Sequence, residues 1–167
     1  MKNALLGLLG ALTLAFAGLI IVTLQDKSAK EGGSAPAFAI TTDQGKKLTQ
    51  DSFGGKLLVL NFWATWCGGC VQEIPSLNVF QHKFADKGVV VVAISIDKNP
   101  EKYKAFLEKI PVSFATARDP NADISSEYGT FQLPESYVIK NGRVVRKFAN
   151  AENWTNDDIT QYVEGLL

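Results

Sequence analysis

The strongest constraint on the fold is a junction between a buried strand and a helix, which carries both cysteines of the chain. Residues 57–63 are almost continuously apolar, which is typical of a strand covered on both faces. Beyond them the apolar residues recur every three or four positions, which predicts one buried face of a helix. The residues of that face are Ile74, Leu77, Phe80 and Phe84. Cys67 and Cys70 lie between the two segments, so the predicted helix begins at the cysteines.

Strand and helix patterns alternate along the rest of the chain. Residues 89–96 predict a second buried strand, and residues 100–110 predict another helix. Residues 136–139 and 144–148 predict a β-hairpin, because Asn141-Gly142 between them is a favoured turn pair. This alternation predicts an α/β fold over residues 36–167, a three-layer sandwich with a central mixed sheet flanked by helices.

The beginning of the chain predicts a membrane anchor or a signal peptide. Residues 4–24 carry no charged side chain, and as a helix they would cross a hydrocarbon layer of about 30 Å at about 1.5 Å per residue. Lys2 favours leaving the amino terminus in the cytoplasm. Cleavage is the alternative, because Ala-Phe-Ala at residues 15–17 fits a small-x-small cleavage site. Both interpretations place the following residues outside the cytoplasm. The polar, small residues 25–35 predict a flexible linker.

Charge and cysteine content exclude several classes of protein. The 17 basic and 17 acidic side chains balance, so charge gives no reason to expect nucleic acid as a partner. Two cysteines cannot build a disulfide-dense scaffold. Together with His82, the only histidine, they cannot complete a four-ligand zinc site. We therefore expect no metal, and no cofactor other than a disulfide between Cys67 and Cys70; we place His82 on the solvent side of its helix.

The positions of the two cysteines favour redox chemistry. A sulfur at a helix N-terminus lies near the positive end of the helix dipole, which favours the thiolate and predicts Cys67 as the nucleophile. Cys70, one helical turn further on, is close enough to form a disulfide and is less accessible. Cys67 would attack a client disulfide, and Cys70 would resolve the mixed disulfide. A purely structural bridge is disfavoured, because closing so short a loop stabilises a fold little.

The segment around the cysteines resembles a known family. Residues 59–75, with Asn-Phe-Trp-Ala-Thr-Trp-Cys and then Cys-Val-Gln-Glu-Ile-Pro, resemble the membrane-anchored TlpA/ResA/CcmG (DsbE)-like thiol–disulfide oxidoreductases. The resemblance extends over residues 36–150. It implies a thioredoxin-like fold, a bacterial cell membrane and extracytoplasmic reduction of client proteins, in some members apocytochrome c. It also implies a membrane thiol–disulfide transporter as electron donor, and we expect a monomer.

The resemblance assigns roles to further residues. Leu133-Pro134 matches the family's cis-proline segment, whose backbone could pair with an extended client segment. Trp66 would be an exposed aromatic platform for docking. Glu73 matches a glutamate that tunes thiol ionisation, and Glu135, directly after the proline, matches the CcmG branch as a substrate-binding residue. By itself, either glutamate could equally be a solvated surface acid.

Two positions depart from the family pattern. Asn61 stands where thioredoxin has a buried aspartate, and an amide does not titrate, so a proton relay would need Glu73, Glu135 or water. Gly68-Gly69 replaces a dipeptide that contains proline, so the resemblance does not define the redox potential.

Two other functions on the same fold stay open from the sequence. A peroxiredoxin-like peroxidase needs Pro-x-x-x-Thr-x-x-Cys, whereas Thr65 precedes Cys67 by two residues instead of three. A copper-delivery protein would separate its cysteines by three residues and supply a distal histidine. Here two residues separate the cysteines, and His82 is the only histidine.

Overall fold

The computed structural model, which describes residues 10, 12–16 and 28–167, has a five-stranded mixed sheet at its centre. The strands in chain order are β1 (Ala39–Thr41), β2 (Lys47–Thr49), β3 (Leu57–Trp63), β4 (Val89–Ser95), β5 (Ala115–Arg118), β6 (Glu135–Lys140) and β7 (Arg143–Phe148). The helices are α1 (Gly68–Phe84), α2 (Pro100–Lys109), α3 (Asp123–Glu127) and α4 (Asp157–Leu166), with 3-10 turns at Gln50–Phe53 and Ala85–Lys87.

The central sheet has the order β5-β4-β3-β6-β7, while β1 and β2 form a separate antiparallel pair. β3 runs parallel to β4 and antiparallel to β6, and every one of its residues is buried. This position explains the continuous apolar run of β3, because a strand at the centre of the sheet is covered on both faces. The predicted central mixed sheet is confirmed.

Each face of the sheet packs against its own hydrophobic cluster. On one face, side chains of β3 pack with the apolar residues of α1, with Tyr103 of α2 and with Ile159 and Val163 of α4. On the other face, β3 and β6 pack against residues around β1 and β2 and against Tyr128, directly after α3. The alternation of side chains along β3 therefore separates the two layers.

Residues 28–35, which we call the N-terminal strap, run along the outer edge of β7. Gly32 N–H donates to the Val144 carbonyl at 2.8 Å, and Val144 N–H donates to the Gly33 carbonyl at 3.0 Å. Ala29 is buried, and its N–H donates to the Tyr128 carbonyl at 2.9 Å. The strap thus covers an edge strand that would otherwise expose its backbone hydrogen-bonding groups.

The prediction of a flexible linker over residues 25–35 is therefore wrong from Ser28 onward. The small residues of the strap let its backbone approach β7 closely, and two alanine side chains, Ala29 and Ala35, fit into the core. Residues 25–27 lie outside the described residues.

The predicted membrane-spanning helix over residues 4–24 lies largely outside the described residues. Gly10 and residues 12–16 are helical. Within the described part of the chain, no helix combines the length and apolar character needed to cross a membrane.

Gly129 allows a stability test of the strap. Its φ is +69°, and a Cβ there would lie 2.4 Å from Cβ of Ser28; Gly45, with φ +78°, has no atom near that position. Each substitution with alanine should lower the free energy of unfolding by about 1–2 kcal/mol, because alanine is strained in the left-handed backbone conformation. Gly129→Ala should lower the free energy of unfolding by about 1–3 kcal/mol more, because the added methyl group displaces the strap. Urea unfolding measures both losses, and equal losses for Gly129→Ala and Gly45→Ala would contradict the docked strap.

Candidate active site

Cys67 and Cys70 form a disulfide at the start of α1. Their Cα atoms are 5.3 Å apart. Cys67 is the N-cap residue, and its Sγ accepts a hydrogen bond from the Cys70 N–H at 3.2 Å. Cys67 keeps 9% of its surface exposed, whereas Cys70 keeps 1%. The more exposed sulfur therefore lies where backbone N–H groups favour a thiolate, which is the arrangement expected for a nucleophile and a buried resolving thiol.

A buried aspartate fixes the turn between β3 and α1. The Thr65 N–H donates to Asp97 Oδ2 at 2.8 Å, and the Thr65 hydroxyl donates to Asp97 Oδ1 at 2.7 Å. Ser95, at the end of β4, also donates to Asp97 at 2.6 Å. The sequence analysis missed Asp97; the signal was an acidic residue directly after the apolar segment 89–96. Because this turn is fixed, Trp66 projects outward and is 68% exposed.

Glu73 is buried beneath the disulfide, one helical turn after Cys70. Its Oε1 accepts from Asn61 Nδ2 at 2.7 Å, and its Oε2 accepts from the Glu152 N–H at 3.0 Å. Burial raises the pKa of Glu73 to about 7, although both hydrogen bonds act in the opposite direction. Glu73 is therefore not a solvated surface acid, and it can exchange a proton near neutral pH.

Residues that are distant in sequence complete this hydrogen-bond network. Asn61 also donates to Ser136 Oγ on β6 at 2.8 Å. The Ser76 hydroxyl donates to the backbone carbonyl of Glu73 at 2.9 Å and accepts from the backbone N–H of Trp154 at 3.1 Å. The segment after β7 is thereby attached to α1. The sequence analysis missed Ser76, and no local pattern indicates a contact across 78 positions.

The Leu133-Pro134 peptide bond is cis, as predicted. Pro134 lies beside the disulfide loop, because a Cβ on Gly69 would be 3.5 Å from Pro134 Cδ and 3.4 Å from the Ala151 methyl group. These distances are ordinary van der Waals contacts, so the space at this position does not itself require glycine.

An open groove of about 540 Å³ borders the exposed side of Cys67. Its lining includes Trp66, Ile96, Phe131 and Leu133. Phe131 is 84% exposed, although it is aromatic. The sequence analysis missed Phe131; the signal was an aromatic side chain two residues before the cis-proline segment.

The structure corrects the role of Glu135 as a substrate-binding residue. Its side chain is fully buried, its carboxylate forms an ion pair with Lys147, and it accepts a hydrogen bond from the Tyr137 hydroxyl at 3.1 Å. Adjacent strand residues point to opposite faces, and Ser136 faces Asn61. Glu135 therefore faces away from Glu73, and its fully buried side chain offers no surface for binding a client.

His82 is exposed on α1. Within residues 10, 12–16 and 28–167, histidine, cysteine and acidic side chains form no group of three that could bind a metal ion.

Comparison with known proteins identifies the family. The profile of the AhpC/TSA family matches residues 32–148. The chain belongs to the AhpC/TSA family. One relative in it, the thiol-disulfide oxidoreductase ResA of Bacillus thuringiensis subsp. konkukian, is 33% identical over 136 residues, which are 81% of this chain and 78% of that protein. ResA of Bacillus subtilis is 31% identical over 122 residues, or 72% and 68% of the two chains.

A solved structure agrees with these relatives. The thiol:disulfide interchange protein DsbE assigned in Chlorobium tepidum superposes with a TM-score of 0.77 and 31% identity, covering 83% of this chain and 99% of that one. The predicted thioredoxin-like α/β fold is confirmed. The predicted thiol–disulfide oxidoreductase activity, with the Cys67–Cys70 pair as its Cys-x-x-Cys motif, is confirmed by the same comparisons.

The raised pKa of Glu73 predicts how stability depends on pH. The folded state favours protonated Glu73, so this stabilisation is complete below the ordinary pKa of 4.5 and is lost as pH rises through about 7. Across this pH range, the raised pKa of Glu73 lowers the free energy of unfolding by about 3 kcal/mol. Urea unfolding with the disulfide intact measures it against Glu73→Gln, which does not titrate.

The comparison uses the change with pH, because glutamine also loses one of the two acceptor oxygens. From about pH 5 to about pH 8 the free energy of unfolding should fall by about 3 kcal/mol more in the unchanged protein than in Glu73→Gln. Parallel curves for the two proteins would contradict the raised pKa.

Proposed function

We propose that this protein is a membrane-tethered reductant that transfers electrons from the Cys67–Cys70 dithiol to disulfides of client proteins outside the cytoplasm. One observation carries the proposal: Cys67 caps α1 beside the cis-proline Pro134, and the titratable Glu73 lies buried one turn beyond Cys70. A structural bridge would need neither the adjacent groove nor a buried acid whose pKa lies near neutrality.

The reaction has two exchange steps. The Cys67 thiolate attacks one sulfur of the client disulfide, and the other client sulfur leaves as a thiolate. Cys70 then loses its proton and attacks Cys67 Sγ, which releases the second client sulfur and forms the Cys67–Cys70 disulfide. Two electrons pass from the dithiol to the client, and each released thiolate takes up a proton at neutral pH.

Glu73 supports the second step. It lies one helical turn from Cys70, so its carboxylate can receive the Cys70 proton directly or through a water molecule. Because Asn61 cannot titrate, it orients the carboxylate by hydrogen bonding instead. Cys70 is almost fully buried, which disfavours its direct attack on a client.

The groove beside Cys67 fits an extended client segment. The backbone of Leu133 precedes the cis bond and could form strand-like hydrogen bonds with such a segment. Trp66 and Phe131 both line the groove and offer two exposed aromatic surfaces. The client class implied by the family resemblance is apocytochrome c before haem attachment.

The disulfide must be reduced again after each turnover. The reaction needs no cofactor, because the dithiol itself supplies both electrons. A membrane thiol–disulfide transporter is the donor that the family resemblance implies, and the electrons would return through Cys67 by the same exchange chemistry.

The strap supports a position close to the membrane. If residues 4–24 span the bilayer, only residues 25–27 separate that span from Ser28, a distance of at most about 14 Å. Ser28 lies against Gly129, close to the segment that carries Phe131 and Leu133. The groove would then face partners at the membrane surface; a soluble periplasmic form after cleavage is the alternative, and carbonate extraction of membranes distinguishes the two.

The peroxidase alternative receives no support from Thr65. A peroxide-binding threonine must present its hydroxyl to the substrate, and here the Thr65 hydroxyl proton is donated to Asp97.

A Cys70→Ser variant tests the proposed reaction. Without Cys70, the mixed disulfide at Cys67 can only return to the reactants through the released peptide thiol, and an acid quench stops that exchange. The probe is a synthetic peptide with an oxidised Cys-x-x-Cys-His motif, and intact-mass spectrometry measures the adduct. Cys67→Ser, which keeps only the buried thiol, should form the adduct about tenfold or more slowly.

Equal adduct formation by the two variants would contradict the assignment of Cys67 as nucleophile. No adduct on Cys70→Ser at any peptide concentration would contradict the proposed function.

A further inference from the structure

A buried cluster of charged and hydroxyl groups lies on the sheet face opposite the disulfide. Glu135, the first residue of β6, is fully buried, and Lys147 on β7 forms an ion pair with its Oε1. The Tyr137 hydroxyl lies 3.1 Å from the same oxygen, and the Lys147 ammonium lies 5.1 Å from the centre of the Tyr137 ring. Neither exchange step uses any of these three residues.

The negative charge of Glu135 depends on very few partners. Within the described residues, its second carboxylate oxygen, Oε2, is buried and has no hydrogen-bond partner. Among the described residues, only Lys147 forms an ion pair with the carboxylate, and its side chain is 22% exposed. Removing Lys147 would therefore leave an uncompensated charge in the core, which is strongly unfavourable.

The cluster contacts both ends of the segment 130–134, which we call the docking loop. The Tyr137 hydroxyl lies 3.3 Å from Thr130 Oγ1, at the first residue of the loop, and 3.0 Å from the Tyr128 carbonyl just before it. Glu135 follows the last residue, Pro134. A phenol has one proton, so the Tyr128 carbonyl and Glu135 share it, and the Thr130 hydroxyl can donate to the phenol oxygen.

We propose that Lys147 is a positioning residue for client docking, because its positive charge compensates the buried Glu135 carboxylate and thereby keeps both ends of the docking loop in place. This inference rests on the proposed function. The loop carries Phe131 and Leu133, which line the groove beside Cys67. Lys147 thus acts from the opposite sheet face without touching the client or the disulfide.

The electrostatics of Lys147 agree with a permanent anchor. Burial alone would lower the pKa of Lys147, but its contacts with Glu135 and Tyr137 raise the pKa above its ordinary value. Lys147 therefore stays charged throughout the neutral range. Its backbone N–H also donates to Glu31 Oε1 at 2.8 Å, which connects the strap to the same strand position.

The test compares two substrates in single-turnover reactions of the reduced full-length chain. One is the oxidised Cys-x-x-Cys-His peptide, which needs the groove, and the other is 2-hydroxyethyl disulfide, which needs only the dithiol. Lys147→Met should raise the peptide concentration for half-maximal rate by about tenfold, with the limiting rate within about twofold. The rate with 2-hydroxyethyl disulfide should stay within about twofold.

Three further variants separate the charge of Lys147 from its packing. Lys147→Arg keeps the charge and should restore peptide docking. Glu135→Gln/Lys147→Met removes both charges, should fold even where Lys147→Met does not, and should return the half-maximal peptide concentration to within about threefold of the unchanged protein. Phe131→Ser removes a direct groove contact and should weaken peptide docking.

Specific outcomes overturn the inference. A Lys147→Met variant that binds the peptide normally, or that reacts more slowly with both substrates alike, would contradict a docking role. A double variant as impaired as Lys147→Met would show that the lysine packs and does not act by charge. Normal docking by Phe131→Ser together with impaired Lys147→Met would place the client elsewhere on the surface. An unchanged protein that fails to reduce the peptide would overturn the proposed function itself.

Discussion

The buried carboxyl group of Glu73 is the constraint on which the active site depends. A carboxyl group in the core must be hydrogen-bonded, and its donors come from β3 and from the segment after β7. Asn61 extends the same network to Ser136 on β6. These bonds fix the first turns of α1 against the sheet. The two sulfurs, which begin that helix, therefore have a defined position next to Pro134.

The two faces of the sheet carry different parts of the site. Ser136 lies on the face that packs against α1, and α1 carries Glu73 and the two cysteines that transfer the electrons. Glu135 lies on the other face with Lys147 and Tyr137, and it adjoins the loop that would receive a client. The cis-proline Pro134 immediately precedes Glu135, and Ser136 is the next residue. A change on either face can thus reach the groove, although the two carboxylates do not face each other.

Much of the fold and part of the site could be predicted from the sequence, because the relevant signals are local. The buried strand, the helix that begins at Cys67 and the hairpin at Asn141-Gly142 each have a periodicity or turn pair of their own. The family resemblance added the cis-proline. The rest depends on long-range register. The face of Glu135 follows from its pairing opposite Phe62, and the strap is ordered because β7 offers an open edge and Tyr128 accepts the Ala29 N–H.

The reduction potential of the Cys67–Cys70 disulfide tests the central claim most directly. A strongly oxidising dithiol has a high potential because its reduced form contains a stabilised thiolate. The carboxylate of Glu73, one turn from Cys70, disfavours a thiolate and therefore lowers the potential. The full-length chain is equilibrated with glutathione and dithiothreitol redox buffers at about pH 7, and thiol alkylation measures the reduced fraction. We expect a potential near or below about −200 mV, as for a reductant. A potential above about −150 mV would show an oxidant and contradict the proposed direction of electron transfer.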